Sequence, residues 1–401
     1  MQAAAGSPLR RLVRWRPVRR WCNERVVTPT RPRPTGRIKS FPEDFVVDEI
    51  PAYEPSGQGD HLYVRLRKRN LTTDDAVRAI ARALGAELRE VGVAGLKDKV
   101  AVTTQWISLL TRAPEAEARA RALEVEGIEV LEVARHGNKL RTGHLRGNRF
   151  EIVVRGLTRD ALTTVERELA RIGREGVPNA FGAQRFGKHG DTATRARGWL
   201  TGTERAPGDP KLRRFHFSAL QAAVFNAVLE ARVADGTWIV PLAGDLLKKE
   251  DTGGLFVCTD VQADRERAAR GELCPTGPIV GDRMRQPEGE ARALEERIAA
   301  PWLEGVDLRR ARALGEGTRR ALRLRVTDPT FAEVMNSAAG GPSPQPDGSY
   351  EEHACKLRFV LPKGAYATTV LSNVIDVTGG DRDATPPPES DIQGGSRTED
   401  E

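Results

Sequence analysis

The feature that most restricts the fold of this chain lies near its end. Residues 356–361 alternate, with Leu357, Phe359 and Leu361 on one face, and Pro362-Lys363-Gly364-Ala365-Tyr366 turns them into an apolar helix over about 367–375. One strand and one helix have no apolar partner of their own. They follow a Gly/Pro/Ser linker at 337–349 and a long stretch whose character changes at Gly176. The pair is therefore expected to dock on strands made much earlier, which makes 176–325 an insertion.

Those earlier strands are readable. Residues 37–50 read as strand, Pro-marked turn and strand. In 61–68, Leu62, Val64 and Leu66 face one way while the other face turns basic. Thr72 with Asp74 and Asp75 opens a helix whose stripe is Val77, Ile80, Ala81 and Leu84, and Gly85 ends it. A charged, alanine-rich helix is expected over 113–124, strands at 128–133 and 151–155, and a helix over 158–172. Within the insertion, 191–235 reads as mostly helical, 244–257 as a small β element, 277–282 as a turn, and 288–299 and 309–314 as helices. Strands alternating with helices exclude a helical bundle.

Charge and cysteine usage narrow the class. Of 401 residues, 30% are charged, and the formal charge is +7. The excess is local: residues 1–40 hold eleven Lys/Arg against Glu24, and 379–401 hold seven acids against two arginines. The arginine- and proline-rich start and the acidic end bury too little to fold alone. No run of about 18 apolar residues suggests a membrane helix, and the start lacks the apolar core of a signal peptide. Cys22, Cys258, Cys274 and Cys355 and the six histidines show no metal-ligand spacing, and no phosphate-binding glycine loop enters a helix. A cytoplasmic protein with no metal and no cofactor is expected.

Chemistry concentrates in Gly95-Leu96-Lys97-Asp98-Lys99. The flanking lysines are expected to favour ionised Asp98 and to attract a polyanion. A second dense stretch, 135–150, is basic and glycine-punctuated, and would let backbone and side chains approach phosphates. Phe150 is expected just at the start of a strand. Arg135, Lys139, Arg141, Arg146 and Arg149 are candidates there for contact with a polyanion, beside Lys97 and Lys99; the resemblance given below makes that polyanion RNA. Arg185 and Lys188 are candidates in the loop 176–188, which combines turn formers, aromatics and cations.

Taken together these stretches closely resemble the TruD family of tRNA pseudouridine synthases. The matching pieces are Lys39 before Pro42-Glu43-Asp44-Phe45-Val46-Val47, the Asp98 loop, Gly147-Asn148-Arg149-Phe150, residues 176–187, and Leu361-Pro362-Lys363-Gly364-Ala365-Tyr366-Ala367-Thr368. They occur in register over about 36–378. The resemblance implies an α+β pseudouridine synthase fold: a central mixed or antiparallel sheet with an inserted, family-specific α/β domain. The parts would be an extension 1–35, a catalytic body 36–175 and 326–378, the insertion 176–325, and a tail 379–401. It implies cofactor-free isomerisation of a tRNA uridine, typically uridine 13. The partner would be tRNA, with no obligate protein partner, no membrane, and a monomer as default. Asp98 takes the place of the catalytic aspartate, Lys39 of the basic residue near it, Asn148 of the support for its loop, and Phe150 of the aromatic that stacks on the target base. Ala180 departs from the family, where an aromatic is frequent. Two other readings compete: a non-catalytic protein that binds structured RNA on the same fold, and a carboxylate-dependent hydrolase that would release free uracil.

Overall fold

The computed structural model describes residues 33–187, 189–334 and 353–378. The first part of the chain forms β1 (Thr35–Arg37), β2 (Phe45–Pro51), β3 (His61–Arg69), α1 (Thr73–Leu84), β4 (Gly92–Val93), β5 (Val102–Leu110), α2 (Ala116–Arg121), β6 (Ile128–His136), β7 (Leu145–Leu157) and α3 (Arg159–Glu175). Next come β8 (Val177–Pro178), α4 (Thr192–Thr201), α5 (Pro210–Ala234), β9 (Leu246–Lys249), β10 (Leu255–Val257), α6 (Val261–Ala269), β11 (Leu273–Ile279), α7 (Gly289–Leu303), β12 (Thr318–Ala321) and β13 (Arg323–Leu324). The last part is β14 (Thr327–Val334), β15 (His353–Pro362), α8 (Ala367–Leu371) and β16 (Asp376–Thr378).

A mixed ten-stranded sheet organises the α+β fold among the described residues, with the order β14-β15-β7-β2-β5-β3-β6. β1 pairs with β7 and β16, and β4 with β5. Among the described residues only β2/β5 and β1/β16 run parallel. β15 lies along β7, with Phe359 opposite Phe150 and Leu361 opposite Asn148. The alternation in β2, β7 and β15 sends Phe45, Val47, Phe150, Ile152, Leu357, Phe359 and Leu361 into one core, which the Leu162–Val165–Leu169–Ile172 stripe of α3 covers. A second cluster under the same sheet joins Leu62, Val64 and Leu66 to Ile80 of α1. Thr72 starts α1 as the capping pattern requires: its hydroxyl accepts from the Asp75 N–H, and Gly85 closes the helix at φ 69°.

The stretch 177–324 adds no strand to the large sheet among the described residues. It builds a four-stranded sheet, β10-β9-β11-β12, and a helical core around α4 and α5. The short pair β8/β13 joins its entry to its exit.

Local readings differ from the structure in several places. The helix expected over 113–124 spans only Ala116–Arg121, and that over 367–375 only Ala367–Leu371. Residues 277–282 do not form a simple turn, because Gly277 and Pro278 belong to the wholly buried strand β11. A side chain at 277 would meet Leu322 and Phe225 at 2.9 and 3.0 Å, so glycine serves close packing there. Phe150 is central in a thirteen-residue strand, not at its start. Gly147 extends that strand, since a Cβ on it would lie 2.2 Å from the Leu361 carbonyl oxygen. The 337–349 linker, residues 1–32 and the tail 379–401 lie outside the described residues, while Thr35, expected in the extension, pairs with Asp376 in β1/β16.

Gly147→Ala should therefore push β7 and β15 apart and lower stability by about 1–3 kcal/mol in urea unfolding.

Candidate active site

Asp98 stands in the loop between β4 and β5, and buried groups fix that loop. In β3 the inward face continues past Leu62, Val64 and Leu66 to Lys68, which is fully buried. Its Nζ donates to the Asp98 carbonyl oxygen at 2.7 Å and to the Leu71 carbonyl oxygen at 2.6 Å. Lys97, next to Asp98, turns inward to Glu49 Oε2 at 2.7 Å, with side-chain exposures of 5% and 1%. The other Glu49 oxygen accepts from the Trp106 N–H at 3.2 Å. The Lys97 N–H donates to Thr73 Oγ1 at 2.9 Å, and that hydroxyl donates to Gln105 Oε1 at 3.1 Å. The Gly143 N–H reaches the Ala94 carbonyl oxygen, so the basic segment leans on the same loop.

The Asp98 carboxylate faces outward from this frame. Its side chain is 48% exposed and meets Lys39 Nζ at 3.0 Å, while the Lys39 side chain is only 14% exposed. Lys39 has φ 56°, a left-handed backbone that costs a non-glycine residue about 1 kcal/mol or more. Its ammonium also lies 4.3 Å from the Phe45 ring centre. Phe45 meets Phe150 edge-on at 6.2 Å, and Phe150 meets Phe359 at 5.5 Å. Lys39, Asp98 and Phe150 are thereby linked through one aromatic ring.

The strand register extends the site across the sheet. Thr103, Val47, Phe150 and Phe359 form one cross-strand row. Glu49, Asn148 and Leu361 form another. Thr103 Oγ1, Gln105 Nε2 and Asn148 Oδ1 are buried without a hydrogen-bond partner among the described residues. All three lie on the sheet that carries the Asp98 loop and have almost no exposed surface, which suits an enclosed water.

A model of tRNA pseudouridine synthase D matches residues 23–196 and 207–374. A tRNA pseudouridine synthase D from Anaeromyxobacter sp. is 47% identical over 357 residues, covering 87% of this chain and 95% of that protein. One from Thermus thermophilus is 38% identical over 88% of this chain and 93% of its own length. This chain belongs to the TruD family. The crystal structure of a putative TruD from Methanosarcina mazei has the same fold, with TM-score 0.71 at 24% identity, covering 89% of this chain and 97% of that one.

Within this TruD chain the basic candidates divide by environment. Lys99, Arg141, Arg146 and Arg149 are exposed. Lys97 is not an outward cation, because Glu49 holds it inside. Arg135 serves structure: it pairs with Glu117 at 3.0 Å and donates to the Thr111 and Ala113 carbonyl oxygens. Lys139 donates to the Arg89 carbonyl oxygen at 2.6 Å. Arg185 lies 5.6 Å from the Phe181 ring centre, and Lys188 is outside the described residues. Asn148 makes no hydrogen bond to the Asp98 loop among the described residues; Lys68 and Thr73 do. Ala180 is buried against Phe225, Leu229 and Trp238, so a larger aromatic there would bear on packing, not on RNA. Phe150 is 5% exposed, a core aromatic that leaves little ring for a base.

A cavity of about 290 Å³ opens where the large sheet meets 250–327, lined by Arg146, Gly147, Leu361, Glu250 and Arg325 among others. Asp98 does not line it, so the carboxylate is placed by its partners and not by this hollow. Among the described residues, no group of three His, Cys, Asp or Glu can hold a metal. No described helix is long and apolar enough to cross a membrane.

Lys68 escaped the sequence reading, which saw a basic strand face. The parity of the strand carried the signal, since Lys68 follows Leu66 by two. Burial draws its ammonium down to about 8, with Asp98 opposing and Lys97 adding to the shift. The folded protein thus releases this proton at lower pH than the unfolded chain does. Unfolding takes up a proton between about 8 and 10.5, so the burial penalty is full below that window and fades as pH rises through it. Denaturation of wild type and Lys68→Met at pH 7 and pH 10 should show wild type gaining relative to the variant at the higher pH.

Proposed function

We propose that this chain isomerises uridine 13 of tRNA to pseudouridine, with Asp98 as the reacting carboxylate. Membership of the family makes it a tRNA pseudouridine synthase. The assignment of Asp98 rests on one observation: its carboxylate is ion-paired to Lys39 on a loop whose backbone is clamped from within the core.

The reaction breaks the bond from C1′ to N1 and forms one from C1′ to C5. N1 gains a proton and C5 loses one, so no atoms are added overall. The uracil must leave the stack to turn over, which calls for base flipping. Asp98 acts on the ribose in one of two ways. It attacks C1′ as a nucleophile, or it takes the C2′ proton and leaves a glycal. Both need an anionic oxygen beside the sugar, and the Lys39 ammonium balances that charge without covering it. Phe150 is 5% exposed between Phe45 and Phe359, so its stacking on the uracil requires the ring to be uncovered as the base enters. Asn148 Oδ1, buried and unpartnered among the described residues, is an acceptor for a uracil or ribose donor.

In the same reading, 36–175 with 326–378 is the catalytic body and 176–325 the inserted domain. The protein acts as a cytoplasmic monomer and needs no cofactor. Exposed Arg141, Arg146 and Arg149 bear on the tRNA backbone.

Asp98→Asn should bind unmodified tRNA as wild type does yet form no pseudouridine in site-resolved mapping; turnover by that variant would remove Asp98 from its role. Lys39→Met should lower the single-turnover rate at least about tenfold with tRNA affinity kept, as loss of a charge-assisted contact to the reacting group implies. Substrate with deuterium at ribose C2′ separates the two routes, because only proton abstraction breaks that bond.

A further inference from the structure

Three arginines stand close together where 177–324 returns to the large sheet, and their electrostatics differ. Arg319 is held by Glu295 at 2.5 Å and Arg323 by Glu250 at 3.1 Å. Arg320 has no carboxylate within ion-pair distance among the described residues. Its Nη2 donates to Asn179 Oδ1 at 2.6 Å, and its Nε to the Asn179 carbonyl oxygen at 3.3 Å. Both N–H groups of Nη1 are left without an acceptor among the described residues.

The guanidinium is nonetheless held firmly. It lies 4.3 Å from the Phe181 ring centre and 5.6 Å from that of Phe225. Phe181 is fixed in turn by the buried Asn226 amide, which exchanges two 2.9 Å hydrogen bonds with its backbone. Arg185 packs on the same Phe181 ring at 5.6 Å. Two cations therefore share one aromatic ring. Burial, and then repulsion by Arg185, pull Arg320 down to about 10, while Tyr366 favours its charged form. Tyr366 lies in the turn after β15, and its 44% exposure makes it one of the few large apolar side chains left open among the described residues.

A preset guanidinium with a free edge, a second arginine beside it and an open phenol nearby suit one ligand class. We propose that Arg320, assisted by Arg185, binds a phosphodiester of the RNA strand, and that Tyr366 stacks on a base next to that phosphate. Bidentate donation favours phosphate oxygens, and stacking on a ring accepts any base. The site would hold the strand across the junction between insertion and body. It deepens the RNA-modifying reading above and rests on it.

The test is equilibrium binding of an unmodified tRNA transcript over a salt series, for wild type, Arg320→Gln, Arg320→Lys, Tyr366→Ala and Asp98→Asn. Arg320→Gln should bind about tenfold more weakly, and its slope of log affinity against log salt should be shallower by about 0.7, the share of one phosphate contact. Arg320→Lys should recover the slope. Tyr366→Ala should lose about tenfold with the slope unchanged, as for a stacked base. A purely structural Arg320 would change thermal stability without moving the slope, and that result overturns the proposal. So does wild-type affinity in Tyr366→Ala, which decides the matter if Arg320→Gln does not fold. If wild type and Asp98→Asn both fail to bind tRNA, the RNA reading itself falls; if both bind and the Arg320 variants match them, only this site does.

Discussion

Two lysines whose ammonium groups turn into the core hold the Asp98 loop in place. Lys68 carries the Asp98 backbone from beneath, and Lys97 anchors the preceding residue to Glu49. The magnitudes separate these contacts from the ion pair they support. Breaking a buried charge pair by removing one partner typically costs about 3–5 kcal/mol, because the other charge is stranded. A half-exposed pair such as Lys39–Asp98 is typically worth about 1 kcal/mol or less. The buried pair therefore fixes the loop, and the outer pair contributes little to folding. Its value lies in leaving a positioned carboxylate open on one side.

The same division explains what was legible in the residues. The Asp98 loop, the capped helix at Thr72 and the alternation of β2, β3 and β15 follow from local patterns that tertiary packing reinforces. The cations were harder to place. Arg135 and Lys139 read as free charges because a sequence does not show which carbonyl oxygens lie within reach. Lys97 looked like a flank of Asp98, although neighbours in a loop can point in opposite directions. Strand β11 was hidden by Pro275, Gly277 and Pro278, residues that weaken an isolated strand but fit where Phe225 and Leu322 press on its face. α6 has little apolar face and gave no clear pattern.

The return of the chain from 177–324 is built with similar economy. Leu324 pairs with Val177 and Arg323 with Pro178, so the two crossings form a short neck. Gly176 has φ 78°, and a Cβ on it would lie 2.6 Å from the Leu324 carbonyl oxygen. Arg323 then ties the neck to Glu250 in the four-stranded region. This neck is short, hydrogen-bonded and charge-paired, which ties 177–324 firmly to the strands that flank it.

The pairing of β15 with β7 carries a consequence for biosynthesis. β7 holds Asn148 and Phe150, and its neighbour on one side is made early while the other is made near the end. At ribosomal speeds of about 5–20 residues per second, roughly two hundred further residues take on the order of 10–40 s to emerge. Through that interval a thirteen-residue strand has one long edge waiting for its neighbour, the kind of edge that invites pairing between nascent chains. The aromatic cluster around Phe150 is thus among the last parts of the protein to mature, whatever the speed of the helices around it.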